Sequence, residues 1–144
     1  MDETQEKSIT ITRIIAAPAE EIFAAWTDPA LLEQWQAEQV EFEPFAGGSF
    51  RFETSDEEEP GTVHVVTGEV LAFEQDRRLV ERWSYGGADA LTDSILTVTF
   101  TDKGNGRTEV ALVEESEEHA DPQSRIFSIE AWNAALEELA ELLE

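Results

Sequence analysis

Cysteine is absent from the 144-residue chain, and so are long apolar runs. Without cysteine the protein has no disulfide framework, no thiolate metal site and no thiol nucleophile. No apolar segment approaches the roughly 20 residues that a helix needs to cross a bilayer, which argues against membrane insertion. Only two histidines, His64 and His119, offer an acid or base that titrates near neutral pH.

Basic side chains are scarce, because 9 lysine and arginine residues stand against 33 aspartate and glutamate residues, for a formal net charge of -24. Such a surface repels phosphate backbones and anionic lipid, so nucleic acid is not expected as a partner. Two explanations stay open: a salt-rich cytoplasm that screens the self-repulsion, or an ordinary acidic protein. The first residues, MDETQEKSIT, lack the apolar centre of a signal peptide, and the chain is predicted to be cytoplasmic.

Residues 16–35 read AAPAEEIFAAWTDPALLEQW and follow a predicted strand over residues 8–15, in which β-branched residues alternate with polar ones. Pro18 and the two glutamates after it favour the first turn of a helix. Thr27 or Asp28 is suited to cap a second helix, with the next proline in its first turn. The segment therefore predicts two short helices joined at a corner.

Beyond residue 40 the apolar period changes to two, which is typical of half-buried strands. VEFEPF and SFRF are predicted to pair across a tight hairpin turn at Gly47 and Gly48. Further strands are predicted in TVHVVTGEVLAF, where Gly68 marks a bulge or bend, and in RLVERWSY, SILTVTF and TEVALVEE. Their short connections predict an antiparallel sheet of six or seven strands.

The last segment, SRIFSIEAWNAALEELAELLE, follows Pro122 and carries apolar residues at three- and four-residue steps. It predicts one long amphipathic helix with Ser124 as its cap, whose apolar stripe packs on the sheet. The chain as a whole is predicted to form one α+β domain over residues 1–144, with residues 1–7 as a disordered N-terminus.

The order of these elements, together with AAPAEEIFAAWTDPALLEQW, FAGGSFRF, RLVERWSY, TVTF and GRTEVAL, resembles the family named after the activator of the heat-shock-protein-90 ATPase. The resemblance runs from Ile9 to the end of the chain. It implies a START-like, or helix-grip, fold, in which a curved antiparallel sheet wraps around the long C-terminal helix. It also implies an apolar cavity between the two, with the short helix pair closing one end of the sheet.

The leading hypothesis is that a small hydrophobic ligand, such as a lipid or an apolar metabolite, binds in this cavity without being chemically changed. Glu81 alternates onto the same strand face as two aromatic side chains and is the candidate polar anchor; its alternative is a carboxylate that reaches water at the sheet's end. The candidate wall residues are Phe42, Phe52, His64, Trp83, Tyr85, Leu96, Val98, Ile129, Trp132 and Leu136.

Two other hypotheses remain open. The first is an enzyme, a cyclase or hydrolase acting on a hydrophobic substrate, with His64, Glu81 or Tyr85 as acid or base. His119, in a polar loop, is expected to be solvated. The second is a chaperone-associated interaction module, although the chain has no room for the namesake's additional domain. No cofactor and no metal is predicted, because the acidic segments lack calcium-loop spacing, and the protein is expected to be a monomer.

Overall fold

The computed structural model of the chain describes residues 7–56, 58–85 and 93–144, apart from the side chains of Tyr85 and Glu118. Of the segment predicted to be a disordered N-terminus, only Lys7 lies within these ranges. Within the described ranges, seven strands, three α-helices and one 3₁₀ turn follow one another, which confirms the predicted α+β class. In chain order they are β1 (Ser8–Ile15), α1 (Ala19–Thr27), α2 (Pro29–Leu32), β2 (Gln39–Phe42), β3 (Ser49–Ser55), β4 (Val63–Glu74), β5 (Arg78–Tyr85), β6 (Asp93–Gly104), β7 (Arg107–Ser116), the 3₁₀ turn (Glu117–Ala120) and α3 (Pro122–Leu143).

The strands form a single seven-stranded sheet in the order β1-β7-β6-β5-β4-β3-β2, and every neighbouring pair is antiparallel. Strands β2 to β7 are therefore neighbours in sequence order, while β1 returns to the edge beside β7. The inward face is apolar along most of its length, as the fully buried Leu79, Leu96, Val98 and Leu112 illustrate. The helices pack on this face and bury its apolar side chains.

The corner between α1 and α2 forms where the sequence predicts it. Pro18 precedes α1, and Glu20 and Glu21 lie in its first turn, where they favour the positive end of the helix dipole. Asp28 ends α1 and caps α2, because its Oδ1 accepts a hydrogen bond from the Ala30 amide at 2.9 Å. Two helices thus begin within a dozen residues of each other, and the chain turns sharply between them.

Helix α3 begins earlier than the sequence indicates. Asp121, not Ser124, is its N-cap, and Asp121 Oδ2 accepts the Ser124 amide hydrogen at 3.3 Å. Carboxylates cap helix N-termini well, and the following proline needs no amide hydrogen in the first turn. The predicted apolar stripe is present, since Trp132, Leu136 and Leu139 are buried.

Two turn predictions were wrong in detail. Residues 43–48 form a longer connection than a tight two-residue hairpin, with Gly47 at a φ of 91°. The irregularity in β4 lies between Val70 and Ala72, where the register shifts, and not at Gly68. Gly68 pairs regularly with Phe50 and with Trp83.

Gly68 is needed for space. A Cβ at this position would overlap the ring of Phe50 and the backbone carbonyl oxygen of Arg82. The Phe50 ring lies in the room left by the missing side chain and contacts Trp83, with the two ring centroids 5.7 Å apart. The absent side chain therefore permits the aromatic packing that leads to the site described below.

We expect Gly68→Ala to lower the free energy of unfolding by about 3 kcal/mol, because neither the Arg82 carbonyl nor the buried Phe50 ring can yield without disturbing the sheet. Urea denaturation measures the loss. Thr67→Ala, at the neighbouring exposed position of β4, is the matched control and should change stability by less than about 1 kcal/mol. Equal losses in the two variants would contradict the steric explanation.

Candidate functional site

A pocket of about 590 Å³ opens between the first half of α3 and the ends of β5, β6 and β7. Strands β5 and β6 contribute Trp83 and Ser94, and α3 contributes residues from Gln123 to Ala135. The pocket lies at one end of the inward face, beside the 3₁₀ turn that leads into α3. The described residues that line it are Gln36, Trp83, Ser94, Glu114, Ser116, His119, Asp121, Gln123, Ser124, Phe127, Ser128, Ala131, Trp132 and Ala135.

Two tryptophans form the apolar wall. The rings of Trp83 and Trp132 meet edge to face, with centroids 5.8 Å apart. On its other side Trp132 stacks on Trp26 of α1, with centroids 6.0 Å apart and ring planes 23° apart. At the outer rim Phe127 leaves 73% of its surface exposed. The pocket thus combines a rigid aromatic interior with an exposed aromatic side chain at its rim.

The polar part of the pocket is organised around the buried carboxylate of Glu114. Glu114 Oε1 lies 3.1 Å from His119 Nε2 and accepts the Trp132 Nε1 hydrogen at 3.3 Å. Glu114 Oε2 accepts the hydroxyl hydrogen of Ser94, also at 3.3 Å. Strand β6, strand β7, the 3₁₀ turn and α3 therefore meet at one carboxylate. Hydrogen bonds from these donors offset the free-energy cost of removing a carboxylate from water.

His119 is buried, and the prediction that it is solvated was wrong. Only 3% of its surface is exposed. The 3₁₀ turn folds it back onto β7, five residues after Glu114. A carboxylate only accepts hydrogen bonds, so the tautomer that satisfies this contact donates from His119 Nε2 to Glu114. Within the part of the chain that the structure describes, buried His119 Nδ1 has no hydrogen-bond partner, and the same holds for Gln36 Nε2 at the pocket wall.

Glu81 is also buried, and the interpretation that it reaches water was wrong. It exposes 2% of its surface and accepts the Trp83 Nε1 hydrogen at 2.8 Å. Burial raises the pKa of Glu81 from its ordinary 4.5 to about 7, and the Trp83 hydrogen bond opposes this only in part. Glu81 faces inward on β5, separated from Glu114 by Leu96 on the strand between them. It is not one of the residues that line the pocket.

The other predicted site residues lie in different environments. Trp83 and Trp132 line the pocket together, and Ile129 packs half-buried against the core. Five other candidates belong to the buried core and do not line the pocket: Leu96, Val98 and Leu136, which are fully buried, Phe42 of β2 and Phe52 of β3. His64 is exposed, and its Nε2 lies 3.1 Å from Asp56 Oδ2, so the structure does not place it in the pocket. The Tyr85 side chain lies outside the described residues.

Sequence reasoning missed Ser94, Glu114 and His119. The signal for Glu114 was present, because Val110, Leu112 and Glu114 alternate on one face of β7 and all three are buried. Ser94 likewise continues the inward face that Leu96 begins. His119 gave no such signal, because a residue in an irregular turn has no period from which its direction follows.

Within the described ranges, no helix is long and apolar enough to cross a membrane. In the same part of the chain, no group of histidine, aspartate and glutamate side chains is arranged to hold a metal ion.

The curved antiparallel sheet and the long C-terminal helix define a protein of the helix-grip class. The sequence profile of the activator of Hsp90 ATPase homolog 1-like proteins matches residues 16–144, and the chain belongs to that family. This confirms the family resemblance seen in the sequence. No curated protein matches the chain significantly.

Solved bacterial structures share the fold over nearly their full length. Protein CV1439 from Chromobacterium violaceum is 25% identical with a TM-score of 0.81, over 96% of this chain and 97% of its own. Protein MLL2253 from Mesorhizobium loti is 27% identical with a TM-score of 0.77, over 94% and 96%. A protein from Rhodobacter sphaeroides is 26% identical with a TM-score of 0.81, over 95% and 92%.

The raised pKa of Glu81 predicts a stability that depends on pH. Protonated Glu81 stabilises the folded state fully below pH 4.5, and this contribution is lost as the pH rises to about 7, with a total of about 3 kcal/mol. Glu81→Gln keeps an uncharged side chain of the same shape at every pH. Its free energy of unfolding, relative to the wild type, should therefore increase between pH 4.5 and pH 7.

Urea denaturation at a series of pH values measures this difference. Glu141→Gln removes one negative charge from an exposed position of α3 and controls for net charge. A Glu81→Gln curve that runs parallel to the wild-type curve at every pH would show that Glu81 is ionised in the folded state at no cost.

Proposed function

We propose that the protein binds a small, mainly apolar molecule in the pocket between α3 and the sheet. The observation that carries the proposal is the aromatic wall of Trp83 and Trp132 beside the polar cluster around Glu114. Ligand sites are mostly apolar clefts with a few fixed polar groups, and volumes of about 300–1,000 Å³ are usual. The family's fold is a ligand-binding fold in general, which agrees with this assignment.

The ligand's apolar body lies against the tryptophan rings. Each ring has neighbours on the side away from the pocket: Trp26 supports Trp132, while Phe50 and Phe52 contact Trp83 with ring centroids 5.7 and 5.3 Å away. Such supported rings are already ordered before a ligand arrives, so less entropy is lost on binding. The ligand's polar group faces Ser94, Glu114 and His119.

A second candidate function, acid–base catalysis on a bound hydrophobic substrate, is favoured by one observation. His119 Nε2 is held 3.1 Å from Glu114 Oε1 in the wall of the pocket. A carboxylate that orients a histidine is a common arrangement for proton transfer. In this proposal His119 takes the role that the sequence suggested for His64. No feature of the described residues favours a chaperone-binding role.

Filling the pocket should abolish binding without unfolding the protein. Ala131 is an exposed pocket residue of α3, and a tryptophan there would occupy the space beside Trp132. We expect a library of lipids and apolar metabolites to shift the amide resonances of pocket residues in the wild type but not in Ala131→Trp. The measurement is a heteronuclear NMR titration.

The control for this titration is Asn133→Trp, which adds the same side chain at an exposed position of α3 outside the pocket lining. It should bind as the wild type does. Shifts scattered over the outer surface, or shifts that persist in Ala131→Trp, would count against the proposal.

Trp132 should matter more for ligand affinity than a core residue of the same helix. Because Trp132 borders open space on one side, Trp132→Ala should cost about 2–3 kcal/mol of stability, less than the ~3–5 kcal/mol of a fully enclosed tryptophan. Leu136→Ala, behind the pocket, should cost as much or more, since Leu136 is fully buried. Urea denaturation and ligand titration of both variants separate the roles: only Trp132→Ala should lose affinity about tenfold or more.

A further inference from the structure

The carboxylates of Glu114 and Asp121 stand in the described pocket lining, and none of the described lining residues is lysine or arginine. The remaining polar side chains are serines, glutamines and His119. The whole chain carries a net charge of -24, so the surrounding field reinforces the local one. A ligand with a carboxylate or phosphate would bring a further negative charge beside Glu114 and would be repelled.

A second observation points the same way. His119 Nε2 lies 3.1 Å from Glu114 Oε1, and among the described residues His119 Nδ1 has no hydrogen-bond partner. In the neutral tautomer that donates from Nε2, Nδ1 is an acceptor. His119 lines the pocket while exposing only 3% of its surface. Leaving a buried polar atom unpaired is unfavourable, and a donor group on a ligand would remove that cost after a small displacement of the ring. The pocket therefore matches a ligand that donates hydrogen bonds.

The aromatic wall adds a third contribution. Trp83 and Trp132 line the same pocket as Glu114, and Trp132 donates its Nε1 hydrogen to Glu114 Oε1 at 3.3 Å. Indole faces attract cations through their negative π surface, and the attraction is strongest where water is excluded. A protonated amine near these rings is thus attracted by the tryptophans and by Glu114 at once.

From these three features we propose that the ligand is a small apolar molecule carrying a protonated amine. This inference rests on the proposed function and specifies its ligand class. The amine binds at the Glu114 end of the pocket, between the carboxylate and the tryptophan rings, and the apolar body extends along α3 toward Phe127. Anionic lipids and fatty acids are disfavoured by their charge.

The test compares three probes that share a naphthalene ring and differ in one polar substituent of similar size: 2-naphthylmethylamine, 2-naphthylmethanol and 2-naphthoate. Calorimetric or NMR titration of the wild-type protein should rank them amine, alcohol, acid, with the amine at least about tenfold tighter than the acid. Tighter or equal binding of 2-naphthoate overturns the inference but leaves the proposed function standing, because the pocket is then still occupied. If none of the three binds and the library titration leaves the pocket amides unmoved, the proposed function fails as well.

Variants separate the pocket's charge from the charge of the whole protein. Asp121→Asn removes a pocket carboxylate and keeps a good helix cap, so the protein should fold and bind the amine about threefold more weakly. Glu130→Gln makes the same change in net charge at an exposed position outside the pocket lining and should leave amine affinity unchanged. Glu114→Gln should reduce amine affinity about tenfold and alcohol affinity less. Equal losses in Glu130→Gln and Asp121→Asn would assign the preference to overall charge and overturn the inference.

Discussion

A chain of tryptophan rings holds the layers of this protein together. Trp83 of the sheet contacts Trp132 of α3, Trp132 stacks on Trp26 of α1, and Trp26 meets Trp35 beyond α2 edge to face, with centroids 4.8 Å apart. Trp35 is fixed in turn, since its Nε1 hydrogen bonds the Ala25 carbonyl at 2.9 Å. Large rings supply much buried area with few rotatable bonds, so one continuous contact orders the sheet, the long helix and the corner.

The same contact explains where the pocket lies. Trp132 is held between Trp26 and Trp83. Toward the N-terminal end of α3 the helix and the sheet separate, and the small residues Ala131 and Ser128 face the gap between them. Toward the C-terminal end Leu136 and Leu139 are fully buried and leave no room. The sizes of the inward side chains along α3 therefore explain why the core is closed at one end of the helix and a cleft is open at the other.

Two buried carboxylates on nearby strands are accommodated differently. Glu114 receives hydrogen bonds from Ser94, His119 and Trp132 and forms part of the pocket wall. Glu81 receives one from Trp83, and burial raises its pKa to about 7. Burial penalises the charged form of Glu81, and its hydrogen bond from Trp83 offsets this only in part. Only Glu114, beside open space and several donors, is placed to meet a ligand.

The sequence by itself determined the features that depend on near neighbours along the chain. Alternating residues fixed the strands and their inward faces, and Asp28 followed by proline fixed the corner, because capping and periodicity act over a few residues. Tertiary structure alone decided that His119 turns inward, that His64 stays exposed beside Asp56, and that Leu96 is enclosed while Trp132 borders a cleft. These outcomes depend on which surfaces, distant in the sequence, pack together and how much space they leave between them. Such packing cannot be read from a few neighbouring residues of the chain.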